Sequence, residues 1–223
     1  KGGVRADGQS LTLDALSGGI GGGSVAADFD TRQTGEGALV NARLSLADVD
    51  GAALRYRALA MPAGRVSLQA TLASRGRSAR AMLGALSGSG AVTLENAAIK
   101  GLDPRAFDVA LRAGEGKQAV NEDARKAGVS EALAADALNA AKVEVPFNVK
   151  DGQLRAGPAT LDGSGAQAIL SGGYDFNADQ IDIRVALAST THGAAANRPD
   201  LALFVQRTPD APRAMLDVSS LSS

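Results

Sequence analysis

The chain has 223 residues, a length that lets one domain bury roughly 70% of its unfolded surface. Its net charge of −1 gives no field to gather nucleic acid or an anionic membrane, and seven aromatics spread along the chain make no base-stacking platform. It has no cysteine, which excludes disulfides, thiolate metal sites and a cysteine nucleophile, and no apolar run reaches the ~18 residues of a membrane-spanning helix.

Taken in order, the segments are mostly period-2 strands. "QSLTLDAL" and "SVAADFD" alternate weakly, and "GALVNARLSLAD" places Val40, Ala42, Leu44 and Leu46 on one face. "DGAALRYRAL" reads as a short fourth helix, additional to the three that follow. "GRVSLQATLAS" sets Val66, Leu68, Ala70 and Leu72 against Arg65, Ser67, Gln69 and Thr71. A helix is predicted over Ser78–Leu86 with Ser78 as its N-cap, followed by the strand "GAVTLEN" and a turn at Asn96. A second helix starts at Asp103-Pro104 and stops at Gly114, and a third covers the alanine-rich Val129–Ala141. "KVEVPFNVK", "GQLRAG", "AQAILSGGYDF", "QIDIRVALAS", "LALFVQR" and "RAMLDVS" complete the strands, with Asp151-Gly152 and Asn177–Asp179 as hairpin turns. A weak echo links the first hairpin, near Asp7-Gly8, to the one after Asp151-Gly152.

The expected fold is therefore mainly β with a few helices (α+β). It is a large curved, mostly antiparallel sheet of amphipathic strands and hairpins with three short helices, whose apolar side is either covered by the helices or left as an open groove. One domain spans 1–223, with a looser β-repeat part over 1–59 and a helical insert around 75–141 in the remainder. The chain starts at Lys1 without Met, and an excerpt of a longer protein is expected, its targeting segment lying outside.

Chemistry is hard to find. "SGGIGGGS" (Ser17–Ser24) matches neither GxGxxG nor GxxxxGK[ST] and reads as a hairpin connection. His192, the single histidine, lies in a loop of small polar residues with no nucleophile elbow elsewhere. Asp28 and Asp30, Asp48 and Asp50, and Asp179 and Asp182 read as turn carboxylates at strand ends. Arg75, Arg77 and Arg80 form a basic patch that reads as solvated loop, or as a contact for lipid phosphate or an acidic partner. No catalytic, cofactor-binding or metal-ligating residue is assigned.

"SARAMLGALSGSGAVTLENAAIKGLDPRAFD" resembles the C-terminal region of AsmA-family proteins, with Leu86, Gly88, Gly90, Leu94, Ile99, Gly101, Leu102 and Asp103 in the matching places. Asn96-Ala97 departs from that family's usual Asp-Gly. The closing hairpins are similar too, through Phe147, Asp151, Gly152, Leu154, Gly172, Asp175 and Ile181, as is the final "DVSSL". The likeness covers residues 60–223 and is looser before them. It implies a non-enzymatic periplasmic domain of a Gram-negative envelope protein, related to TamB- and YhdP-type proteins and anchored in the inner membrane by a segment outside this chain. The role it implies is outer-membrane biogenesis, with phospholipid acyl chains carried along an apolar β-sheet groove. The alternative is a scaffold for outer-membrane assembly proteins that binds no lipid. No cofactor is implied.

Overall fold

The structure, a computed structural model, describes residues 1–109, 122–190 and 200–217. Twelve strands form one open antiparallel sheet in which every neighbour in space is the next sheet strand in sequence. They are β1 (Gly3–Ala6), β2 (Ser10–Ile20), β3 (Gly23–Thr34), β4 (Gly37–Asp50), β7 (Ala63–Gly76), β8 (Ser87–Lys100), β9 (Ala137–Lys150), β10 (Gln153–Asp162), β11 (Ala166–Asp175), β12 (Gln180–Ser189), β13 (Asp200–Arg207) and β14 (Arg213–Asp217). A small hairpin, β5 (Arg55–Tyr56) with β6 (Leu59–Ala60), stands apart from this sheet. The helices are α1 (Ala79–Gly84) before β8 and α2 (Glu122–Ala134) before β9, with a single helical turn over 106–109.

Register aligns the apolar positions across the sheet. One cross-strand row runs Leu16, Ala27, Leu44, Ala70, Gly90, Phe147, Ala156, Gly172, Ile183, Val205 and Ala214, from β2 to β14 without a polar residue. The neighbouring row on the other face runs Asp28, Arg43, Thr71, Ser89, Asn148, Arg155, Gly173, Asp182, Gln206 and Arg213. The strict two-residue period of each strand thus becomes a two-faced sheet.

Several strands change parity along their length, each at an irregularity. In β2 the ladder shifts between Leu13 and Leu16 around Ala15 (φ 53°), and in β4 between Leu46 and Val49 around Asp48 (φ 55°). Each inserts an extra residue, so the leucines before it and the apolar residue after it share a face. In β8 and β9 the parity changes at facing positions, from Leu94 to Ala97 and from Val143 to Ala140, so the pairing resumes in the same register.

Two predicted elements differ from the structure here. The turn expected at Asn96 is an irregularity (φ 51°) inside a 14-residue strand, because Ala97 and Ile99 go on pairing with Ala140 and Leu138 of β9. The helix expected over Val129–Ala141 runs instead over Glu122–Ala134, and Ala137–Ala141 belong to β9. Alanine is a strong helix former, but intrinsic propensity amounts to less than about 1 kcal/mol per residue, and pairing with β8 outweighs it. The region around 75–141 thus contains β8, a central strand of the sheet, between its two helices. The helix at Asp103–Gly114 appears as the turn over 106–109; residues 110–114 lie outside the described residues.

The core is one cluster on the apolar face, placed towards the C-terminal half. Leu102 ahead of the turn, Ala106 and Phe107 in it and Val129 and Leu133 from α2 pack with Val66, Leu94, Leu138, Val143, Leu161, Val185, Leu187 and Leu201 of the strands. Over β1–β4 the same face has no such cover. Among its apolar side chains there only Val49 is buried, while Leu13, Leu16, Val25, Phe29, Val40, Leu44 and Leu46 are half-exposed.

The short helix expected over Asp50–Leu59 is also replaced. The Asp50 carboxylate accepts from the Ala52 N–H and starts one 3-10 turn, Gly51–Ala53, but Leu54 is already extended. Arg55 and Tyr56 pair back onto Ala60 and Leu59 around Arg57, which takes φ 57°.

Candidate functional site

The Ser17–Ser24 glycine cluster is the β2–β3 hairpin, turned at Gly21 and Gly22 with φ of 51° and 76°. No helix follows it, so there is no helix N-terminus to hold a phosphate. Asp28 lies within β3, where its carboxylate accepts from the Ala15 N–H at 2.8 Å and closes the β2 irregularity. Asp30 accepts from the Thr12 hydroxyl, Asp50 caps the 3-10 turn, and Asp182, inside β12, accepts from the Gln206 side chain. Asp28, Asp30 and Asp182 are therefore mid-strand residues of the polar face, not residues of strand ends. Among the described residues no group of three or more histidines, aspartates or glutamates could hold a metal ion. His192 lies outside the described residues. Arg75, Arg77 and Arg80 stand where β7 gives way to α1, and Arg77 donates to the Gly35 carbonyl at 2.6 Å.

The glycines of the Leu86–Asp103 stretch have a packing reason. Gly90 faces Phe147 across the ladder, and a Cβ there would lie 2.5 Å from the Phe147 ring and 2.3 Å from the Gln69 carbonyl. The ring occupies the space a side chain would take. At Asp151-Gly152 the expected hairpin turn is present, both residues left-handed (φ 51° and 72°). Asp103 caps the next turn: its carboxylate accepts from the Arg105 N–H at 2.9 Å and pairs with the guanidinium, which reaches on to Asp136 at 3.1 Å. The Arg105 side chain, and then its backbone N–H, hold the buried Asp103 carboxyl below the usual range against the opposing effect of burial.

A depressed carboxylate stabilises the fold above its unfolded pKa, and that contribution is lost as pH falls through the folded value. Asp103→Ala is therefore expected to cost about 0.5–2 kcal/mol at pH 7, as loss of a cap does. Urea unfolding should show the gap to the parent chain narrowing as pH drops below about 4. A gap constant down to pH 2 would refute the assignment.

A second polar cluster left no mark in the sequence. The 51–62 segment leaves the sheet between β4 and β7, yet its tip meets the β11–β12 and β13–β14 turns. Arg57 donates to Asp179 and to Asp210, the latter at 3.0 Å. The Tyr56 and Tyr174 hydroxyls are 3.1 Å apart with their rings edge to face, Tyr174 donates to Asp179, and the Ala58 N–H reaches the Pro209 carbonyl at 3.3 Å. The Tyr174 hydroxyl and then Arg57 hold Asp179 below its usual range, while burial first, then Asp179, push the Tyr174 phenol up. Tyr174 belongs to the apolar face, in register with Leu154 and Ile181. Partners 118 to 153 residues apart leave no local pattern.

Asp28 and Asp30 line one open depression with Asp14, Arg32 and Arg43, and half-exposed aliphatic side chains form a strip over β1–β4. No helix among the described residues is long and apolar enough to cross a membrane. No family model, curated protein or solved structure matches the chain.

Proposed function

We propose that this is a non-enzymatic, AsmA-like envelope domain that carries phospholipid acyl chains along the apolar face of its sheet. It acts in the periplasm, in a protein anchored to the inner membrane, and serves phospholipid transport in outer-membrane biogenesis. The observation that carries the reading is the apolar row from Leu16 to Ala214, buried at Ala70, packed against the core cluster at Ala156 and Ile183, and half-exposed over β2–β4. Monomeric proteins rarely leave so continuous an apolar surface without an occupant.

For a groove the sheet must bend, and chain reach supports that. Ala58 is five residues from the start of β7 at Ala63, about 17 Å of extended chain. Its partner Pro209 lies beyond β13, six strands from β7, which is about 29 Å across a flat sheet. The register row through Arg207 and Tyr174 meets β7 at Leu72, nine residues from Ala63, or about 30 Å along the strand. A flat sheet would put the partners about 40 Å apart, well beyond reach.

Incubation with phosphatidylethanolamine–phosphatidylglycerol vesicles followed by native mass spectrometry should give adducts of phospholipid mass. Spectra without any adduct would end the lipid reading. The scaffold reading has its own observation. β1 covers β2 only over Leu11–Asp14, and Lys1 takes up both backbone groups of Ser17, so the Gly18–Ile20 edge offers backbone groups to another chain. A pull-down retaining outer-membrane assembly proteins with no lipid would favour it.

A further inference from the structure

We infer that residues 51–62 form a strap that opens at its tip to uncover the apolar face beneath it; that an acyl chain is what then enters rests on the function proposed above. The strap has a firm base and internal structure of its own. Gly51 and Pro62 touch at the neck, where a Cβ on Gly51 would fall 2.1 Å from the Pro62 carbonyl, between the buried Val49 and Val66. Leu54 accepts from the Met61 N–H and donates to Gly51, and β5 pairs with β6. These bonds lie within the strap and survive its movement.

The far end is held differently. Tyr56, Arg57 and Ala58 reach Tyr174, Asp179, Pro209 and Asp210 through hydrogen bonds and ion pairs, and the Arg57 and Asp179 side chains are each 38% exposed. Water can replace each of these polar contacts, and exposed ion pairs contribute little to holding two elements together, which leaves the edge-to-face contact of the Tyr56 and Tyr174 rings. Between base and tip the strap has one apolar anchor, Leu54, packed against the core cluster. A segment held at one end by half-exposed ion pairs, one ring contact and one backbone bond to the buried Pro209, with intact internal bonds, is an element that opens locally without unfolding the sheet. Its position decides what opening does. The base is at the end of the half-exposed β1–β4 face, and the tip rests on Tyr174 of the covered β11 face. The closed strap lies at the junction of the two stretches, and an occupant running from one to the other must displace it.

Leu54→Cys gives the chain a single thiol, because there is no cysteine in it. Maleimide labelling of that thiol should be slow with Arg57 present. It should be roughly tenfold faster in the Arg57→Gln background, because labelling follows the open population. Asp179→Asn with Asp210→Asn removes the same contacts from the other side and should give the same rise. The urea midpoint should stay unchanged in both backgrounds. Equal labelling rates overturn the strap, and so does a rise matched by a fall in the midpoint. A second arm cross-links the tip through Ala58→Cys and Pro209→Cys: oxidation should abolish phospholipid adducts and reduction restore them, while adducts indifferent to oxidation again overturn it. If the parent chain itself takes up no phospholipid, the acyl reading fails and the labelling ratio alone decides the strap.

Discussion

Phe107→Ala is expected to lower the unfolding free energy by about 3–5 kcal/mol, the largest stability effect of any single truncation considered for this chain. Phe107 is 1% exposed and sits in the turn after Asp103. It packs into the cluster that joins α2, through Val129 and Leu133, to the strand residues Leu138, Leu161 and Leu187. The chain has only seven aromatics, so few other side chains have the volume to fill the gap. The surrounding strand backbones are fixed by ladders on both sides, so the cavity cannot collapse, and the cost falls at the upper end of the range for large-to-small changes. Loosening this turn would also free the α2 cover and expose apolar strand residues of the C-terminal half. Urea unfolding at neutral pH gives the measurement. A loss below about 1 kcal/mol would mean that the cover contributes little and that strand pairing alone holds the sheet.

The same cluster shows what could be read from the residues and what could not. Strands whose alternation is unbroken were legible: Val66 to Leu72 and Ile181 to Leu187 keep one parity, and each lies on the face its pattern assigns. The turn at Asp151-Gly152 was legible because both positions demand left-handed backbone. Where a strand changes parity, the local pattern misleads. Leu138 and Ala140 are out of phase with Val143 and Val145, and in an alanine-rich setting that spacing imitates a helix. Only pairing with Ala97 and Ile99 of β8 restores the strand. Asn96 misled for the same reason, since a left-handed residue serves an irregularity as well as a turn. The Leu86–Asp103 stretch is thus one long strand between a helix and a capped turn, and its glycines accommodate neighbours such as Phe147.

The candidate site divided along similar lines. The apolar strip on β1–β4 was legible in Val40, Ala42, Leu44 and Leu46. The strap cluster was not, because Tyr56, Arg57, Tyr174 and Asp179 meet only once the sheet has brought distant turns together. No spacing rule connects residues whose proximity depends on the shape of twelve strands.

Leu44→Glu is the substitution that separates a lipid-carrying face from a face that is merely core. Leu44 is half-exposed at the centre of the open strip, flanked in register by Ala27 and Ala70, with Gly90 one strand further on. With only small neighbours in register, a methylene chain lying along the row would contact the Leu44 side chain, and a carboxylate there would lose its water. Phospholipid adducts should fall by roughly tenfold or more, which corresponds to about 1.4 kcal/mol of binding free energy. Stability should change by about 1 kcal/mol or less, because a half-exposed glutamate can turn its charge to solvent. Ser45→Glu supplies the control: it adds the same charge one residue along, on the polar face between Ala26 and Gln69, and should leave the adducts intact. Equal losses in the two variants would mean that charge repels the vesicle before any chain reaches the sheet. No loss in either would mean that lipid binds elsewhere and that the β1–β4 strip is waiting for protein. Only a loss confined to Leu44→Glu fits an acyl chain lying along the row from Leu16 to Gly90, with the polar face of the same strands turned to water.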